Sequence, residues 1–86
     1  METIINLILM KRVDVKKLKS GDFVLAFDFG LCEWFKCKVN NIKKFKVNNI
    51  KKFIVTLEYV DGGSKGFVFY ETLGNLKNPD YYKQAE

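Results

Sequence analysis

Eighty-six residues, 48% of them hydrophobic and 15% aromatic, suffice for one small packed domain and exclude a disordered chain. The formal net charge of +5 suits nucleic acid or an acidic protein as partner, and a solvated lysine face explains such a surplus equally well. There is no histidine, and the two cysteines, Cys32 and Cys37, are not a CxxC pair. A zinc site of Cys and His is therefore excluded, no metal or cofactor is implied, and reduced thiols in a cytoplasmic protein are expected.

In chain order, the apolar run Thr3–Met10 comes first. It is short of a bilayer span, and its positive charges, Lys11 and Arg12, follow it rather than precede it as in a secretory signal. No membrane partner is expected, and residues 1–17 are read as a strand or short helix packed on the domain. Ser20-Gly21-Asp22 is a turn signal. From Phe23 the pattern alternates, with Phe23, Leu25 and Phe27 on one face and Val24 and Ala26 on the other. Asp28-Phe29-Gly30 reverses this strand. A second strand over 33–41 sets Phe35, Cys37 and Val39 against Trp34, Lys36 and Lys38, and a third over 53–60 sets Phe53, Val55, Leu57 and Tyr59 against Ile54, Thr56 and Glu58. Asp61-Gly62-Gly63-Ser64 is a hairpin signal, because glycine tolerates the positive φ of tight turns. Gly66–Tyr70 is a fourth strand, Glu71–Leu76 a single helical or 3₁₀ turn, and residues 77–86 a tail.

Residues 38–45 read KVNNIKKF, and residues 46–53 read KVNNIKKF again. Each copy holds three lysines and no acid, so loss of one copy would lower the net charge from +5 to +2. Val39, Ile42 and Phe45 are spaced as on a helix, yet Val, Ile, Phe and Asn are mediocre helix formers. A lengthened hairpin between the second and third strands is favoured over an inserted helix. An insertion of even length preserves the face of every downstream side chain.

Three segments stand in order: Lys19-Ser20-Gly21-Asp22-Phe23-Val24-Leu25-Ala26, Trp34-Phe35-Lys36-Cys37-Lys38-Val39 and Tyr59-Val60-Asp61-Gly62-Gly63-Ser64. Together they resemble a Tudor-type SH3-like domain over about two-thirds of the chain. The resemblance implies an all-β fold, a small SH3-like barrel of about five antiparallel strands over 18–76, carrying the lengthened hairpin. Methyl-reading members of that family surround a methylated lysine or arginine with aromatic rings. Carried over, Phe35 and Tyr59 match two cage positions, and a third falls at Asp28 or Phe29. This sequence departs from the pattern at Gly62, where an aromatic is usual, and at Ser64, where an asparagine is usual.

No histidine, phosphate-binding glycine loop or nucleophile motif is present, so no catalytic residue is named and an enzyme is not expected. One reading is a nucleic-acid module whose contacts are Lys36, Lys38, Lys43, Lys44, Lys46, Lys51 and Lys52, with Trp34 available for stacking. Fourteen lysines against one arginine argue against a guanidinium-based reader of base edges. The other is a protein-binding module, such as a small phage-type inhibitor of a host complex, recruiting its partner through aromatics or an open strand edge. A degenerate methyl-lysine or methyl-arginine reader is a third. The long hairpin is also a candidate for a homodimer contact.

Overall fold

The computed structural model of the chain describes residues 12–85. One antiparallel sheet contains β1 (Phe23–Asp28), β2 (Glu33–Val47), β3 (Ile50–Tyr59), β4 (Val68–Thr72) and β5 (Tyr82–Gln84), with a helical turn, α1 (Leu73–Leu76), between the last two. The order across the sheet is β4-β3-β2-β1-β5. Each strand thus pairs with its chain neighbour until β5, which returns to β1.

Alternation sorts the two faces as the sequence predicts. Across β1–β2, Val24 lies opposite Cys37 and Ala26 opposite Phe35. Across β2–β3, Val39 lies opposite Leu57 and Ile42 opposite Val55. Val24, Cys37, Val39, Val55 and Leu57 are fully buried, joined by Leu76 of α1, and Val13, Ala26 and Tyr82 complete the core. In β1 the core face is thus the one with the smaller side chains, because Val13, Leu76 and Tyr82 already fill the space above it. Phe23, Leu25 and Phe27 stand on the outer face.

The sheet is not closed into a barrel, which corrects the expected barrel. The connection through α1 delivers Tyr82 to β1, where it pairs with Ala26, and β4 and β5 remain separate edges. Side chains bridge the gap instead. The Glu71 carboxylate at the end of β4 accepts hydrogen bonds from Tyr82 OH at 2.6 Å, Asn75 Nδ2 at 2.6 Å and its neighbour Thr72 N at 3.0 Å. Thr72 caps α1, its Oγ1 accepting from Asn75 N at 3.2 Å. The tail expected over 77–86 is likewise corrected, since Tyr82–Gln84 is a strand. With one apolar residue in three, behind Pro79, it carries too little pattern to read.

Other boundaries move by a few residues. The loop after β3 spans 60–67 rather than a tight four-residue turn, and β4 starts at Val68. Gly62, at φ +76°, lies so close to Phe35 that an added Cβ would stand 2.5 Å from the ring. Asp61 Oδ1 accepts from Lys36 N at 2.9 Å, fixing the loop to β2. At the other end Gly21, at φ +94°, donates its N–H to Val39 O at 2.8 Å. The element expected over 3–10 lies outside the described residues. Of the segment following it, Val13 is buried in the core, with Val15 and Leu18 packed against it.

Candidate nucleic-acid interface

β2 and β3 outrun their neighbours. β1 covers β2 only as far as Lys38, and β4 covers β3 only from Ile54 to Glu58. Residues 44–53 therefore project as a two-stranded ribbon of four rungs: Lys44 with Phe53, Phe45 with Lys52, Lys46 with Lys51 and Val47 with Ile50. At roughly 3.3 Å per residue this is a reach of about 13 Å, and the molecule extends 47 × 28 × 23 Å. The expected long hairpin is present, and the helical alternative is not.

Asn48 (φ 51°) and Asn49 (φ 65°) form the turn. Positive φ at both central residues is the type I′ geometry whose twist matches paired strands, and asparagine tolerates it better than most residues. The identical pair in the first copy behaves otherwise. Val39 pairs with Leu57 and Asn41 with Thr56, so Asn40 is the extra residue of a β-bulge. Its Nδ2 donates to Glu58 Oε1 at 3.0 Å.

The bulge and the two-residue turn together reverse the parity of the repeat. Counting alternation from the buried rungs, Val39, Ile42 and Lys44 lie on the core side, whereas Val47, Ile50 and Lys52, their equivalents, lie on the outer side. Lys43 and Phe45 are on the outer side and their equivalents Lys51 and Phe53 on the core side. Val39 and Val47 differ because the unpaired Asn40 intervenes, and the later pairs differ because the two-residue turn does, its flanking residues Val47 and Ile50 sharing a face. Lys44, Lys46 and Lys51 occupy one face of the arm, and Lys43 and Lys52 the other. All five are exposed, and residues 41–56 contain no Asp or Glu.

The remaining candidates do not join them. Lys36 and Lys38 lie on the outer face of the sheet body, Lys36 Nζ standing 4.4 Å over the Phe23 ring. Trp34 is ten residues before Lys44 on the same strand, about 33 Å away at the usual rise. It belongs to a second aromatic group with Phe27, Phe29 and Tyr81, and Lys83 Nζ lies 4.4 Å over its ring. A shallow groove of about 410 Å³ runs between Trp34, Phe29 and Pro79–Tyr81. Periodicity alone places Trp34 and Phe27 together; Tyr81 becomes legible only once β5 is known.

Of the cage-like positions, Phe35 and Tyr59 meet edge to face at 6.5 Å. Phe29 is instead with Phe27, at 4.9 Å, on the other side of the sheet. Tyr59 stacks on Phe69 at 5.1 Å, and Gly62 lies against Phe35 where an open cage would hold a ligand. Burial is the main influence raising the Tyr59 phenol, with smaller contributions from Cys37 and Asp28.

Nucleophilic chemistry finds little support. Burial, aided by the charge of Asp61, pushes the Cys37 thiol up to about 12, which keeps it protonated and inert at neutral pH. Both cysteines are free, Cys32 exposed and Cys37 buried. Among the described residues no three His, Cys, Asp or Glu side chains gather to hold a metal ion, and no helix is long and apolar enough to cross a membrane. Compared with family models, curated proteins and solved structures, the chain matches none.

Proposed function

We propose that the chain is a non-catalytic, cytoplasmic binding module that holds nucleic acid with its β2–β3 ribbon, on an opened version of the Tudor/SH3-like plan. The strand order, with a helical turn before a last strand that returns to β1, supports that plan. One observation carries the function: a projecting ribbon with four lysines, and Lys43 at its base, sets five lysines on two faces with no carboxylate. Lys46 and Lys51 are direct cross-strand partners. Like charges so placed destabilise a sheet, and a phosphate between them relieves the repulsion. A homodimer through the ribbon would instead press lysines of two copies together.

The test is a salt titration of binding to single- and double-stranded DNA and RNA, comparing the full chain with Lys44→Gln/Lys46→Gln/Lys51→Gln/Lys52→Gln. We expect tight binding at low salt and at least a tenfold loss in the variant, with a shallower salt dependence. Binding unaffected by neutralisation, or no binding at low salt, overturns the reading. Neutralisation is a better probe than deleting residues 46–53. The single Asn-Asn pair left by the deletion would sit at the bulge, and a turn that kept the present register would fall on Lys44-Phe45.

A second reading, a protein partner, draws on the aromatic end of the molecule and on the β4 edge, whose Tyr70 shares a groove with Lys43 and Phe45. Phe29 and Tyr81 are 62% and 40% exposed in the groove at Trp34, and β4 offers an open edge with Tyr70 exposed. A partner held at the aromatic groove stays bound at moderate salt and is indifferent to the ribbon lysines. Methyl-lysine reading is the weakest of the three, because Gly62 lies against the Phe35 ring.

A further inference from the structure

We propose that the ribbon enters the major groove of A·T-rich duplex DNA tip first, Val47 and Ile50 meeting thymine methyl groups and Asn48 and Asn49 meeting adenine edges. This rests on the nucleic-acid reading above and specifies its partner. Dimensions come first. Two paired strands stand about 4.8 Å apart, and a major groove about 12 Å wide admits such a ribbon, whereas a minor groove about 6 Å wide must first be opened. The reach of about 13 Å exceeds the groove depth of about 8.5 Å, so the tip arrives at the base edges. The major groove of A-form RNA is too deep and narrow for this entry.

Charge placement agrees with the dimensions. A contact lying flat on a backbone would use lysines on one face, but this arm has Lys44, Lys46 and Lys51 on one side and Lys43 and Lys52 on the other. Phosphates line both walls of a groove, so both sets find partners.

The tip itself has no cation. Its last rung is Val47 with Ile50, 46% and 59% exposed, followed by the exposed Asn48-Asn49 turn. Reading guanine favours arginine or lysine at the base edge, whereas apolar groups suit the thymine methyl and asparagine suits adenine N6 and N7. The same apolar rung among lysines has some affinity for an anionic bilayer. Insertion there would bury two amide side chains and the turn backbone without hydrogen-bond partners, which opposes it.

The test uses the full chain and three duplexes of one length at one salt concentration: an A·T-rich duplex, the same duplex with deoxyuridine for every thymidine, and one with inosine·cytosine for adenine·thymine. Uracil removes only the major-groove methyl, and inosine·cytosine keeps the minor-groove pattern while changing the major-groove one. We expect weakening of about fourfold per methyl group buried, a comparable or larger loss with inosine·cytosine, and equal affinity for the thymine and uracil duplexes in Val47→Ser/Ile50→Ser. Equal wild-type affinity for all three duplexes, with binding still dependent on the ribbon lysines, overturns the groove assignment and leaves the nucleic-acid reading standing. Preference for single strands, or for phosphatidylserine vesicles over any duplex, also overturns it. Duplex binding indifferent to the lysines overturns both.

Discussion

Glu71 ties together three pieces of chain that the sheet leaves apart: β4, α1 and β5. Hydrogen bonds to a charged acceptor each contribute about 1.5–3 kcal/mol where they are sheltered, and the bond from Tyr82 is the most sheltered of these. Glu71→Ala is expected to destabilise the fold by about 2–3 kcal/mol, read as a lower urea midpoint, with Glu71→Gln less costly because it keeps an acceptor. Burial first, then the bond donated to Glu71, raises the Tyr82 phenol. Cys37 gives a clearer pH signature. Its thiol ionises near 9.0 when exposed and at about 12 in the fold. Below 9 both states keep the proton, and stability is at its plateau. Between 9 and 12 the unfolded chain releases a proton that the folded chain retains, so stability falls by up to about 1.4 kcal/mol per pH unit. Thermal melts from pH 8 to 11 should show this decline, flattened in Cys37→Ala until tyrosines ionise. The residue types of such hubs were visible in the sequence, but Glu71 was not legible as one, because its most sheltered donor, Tyr82, comes from a strand without a pattern.

At the level of elements, alternation located β1, β2 and β3 because each has a core face of consistent polarity. The arm is harder to read, since Val39 and Ile42 share the core side across the bulge while Phe45, Val47 and Ile50 lie on the outer side, a pattern that follows neither period cleanly. The bulge and the turn explain why an insertion of even length keeps downstream alternation and yet sets the two copies on opposite faces. Asn48-Asn49 makes a specific prediction. A type I′ turn accepts glycine at its second position more readily than asparagine, so Asn49→Gly should stabilise the ribbon by about 0.5–1 kcal/mol. Asn41→Gly, in extended backbone opposite Thr56, should be neutral or destabilising. Amide hydrogen exchange of residues 44–53 separates the two; equal effects would mean that the turn is not where we place it.

At the scale of the whole molecule, charge is unevenly distributed along the long axis. The ribbon end holds five lysines without an acid, while Asp28, Glu33 and Asp80 lie toward the aromatic end. If Lys43 and the four ribbon lysines all neutralise phosphates of a B-form duplex, the logarithm of the binding constant should fall with the logarithm of salt at a slope of about −4.5. A slope near −1 would mean that one lysine, not the arm, makes the contact. The lysine count was legible in the sequence, as was an all-β chain of about five antiparallel strands with a long hairpin between the second and third. Closure was not, because it depends on where α1 releases the chain, and no local pattern records that. Nor was the separation of Trp34 from the lysines, which follows from β2 continuing through its bulge beyond the end of β1.

The repeated octapeptide also makes the protein its own reference compound. Two peptides of identical composition and order sit in one solution, at one concentration, with identical intrinsic exchange rates and rotamer preferences away from their junctions. One Asn-Asn is bent through a turn, and the other is drawn into a bulge. Whatever difference a spectrometer records between Asn40-Asn41 and Asn48-Asn49 is therefore a measurement of surroundings alone, with local sequence cancelled by construction of the gene.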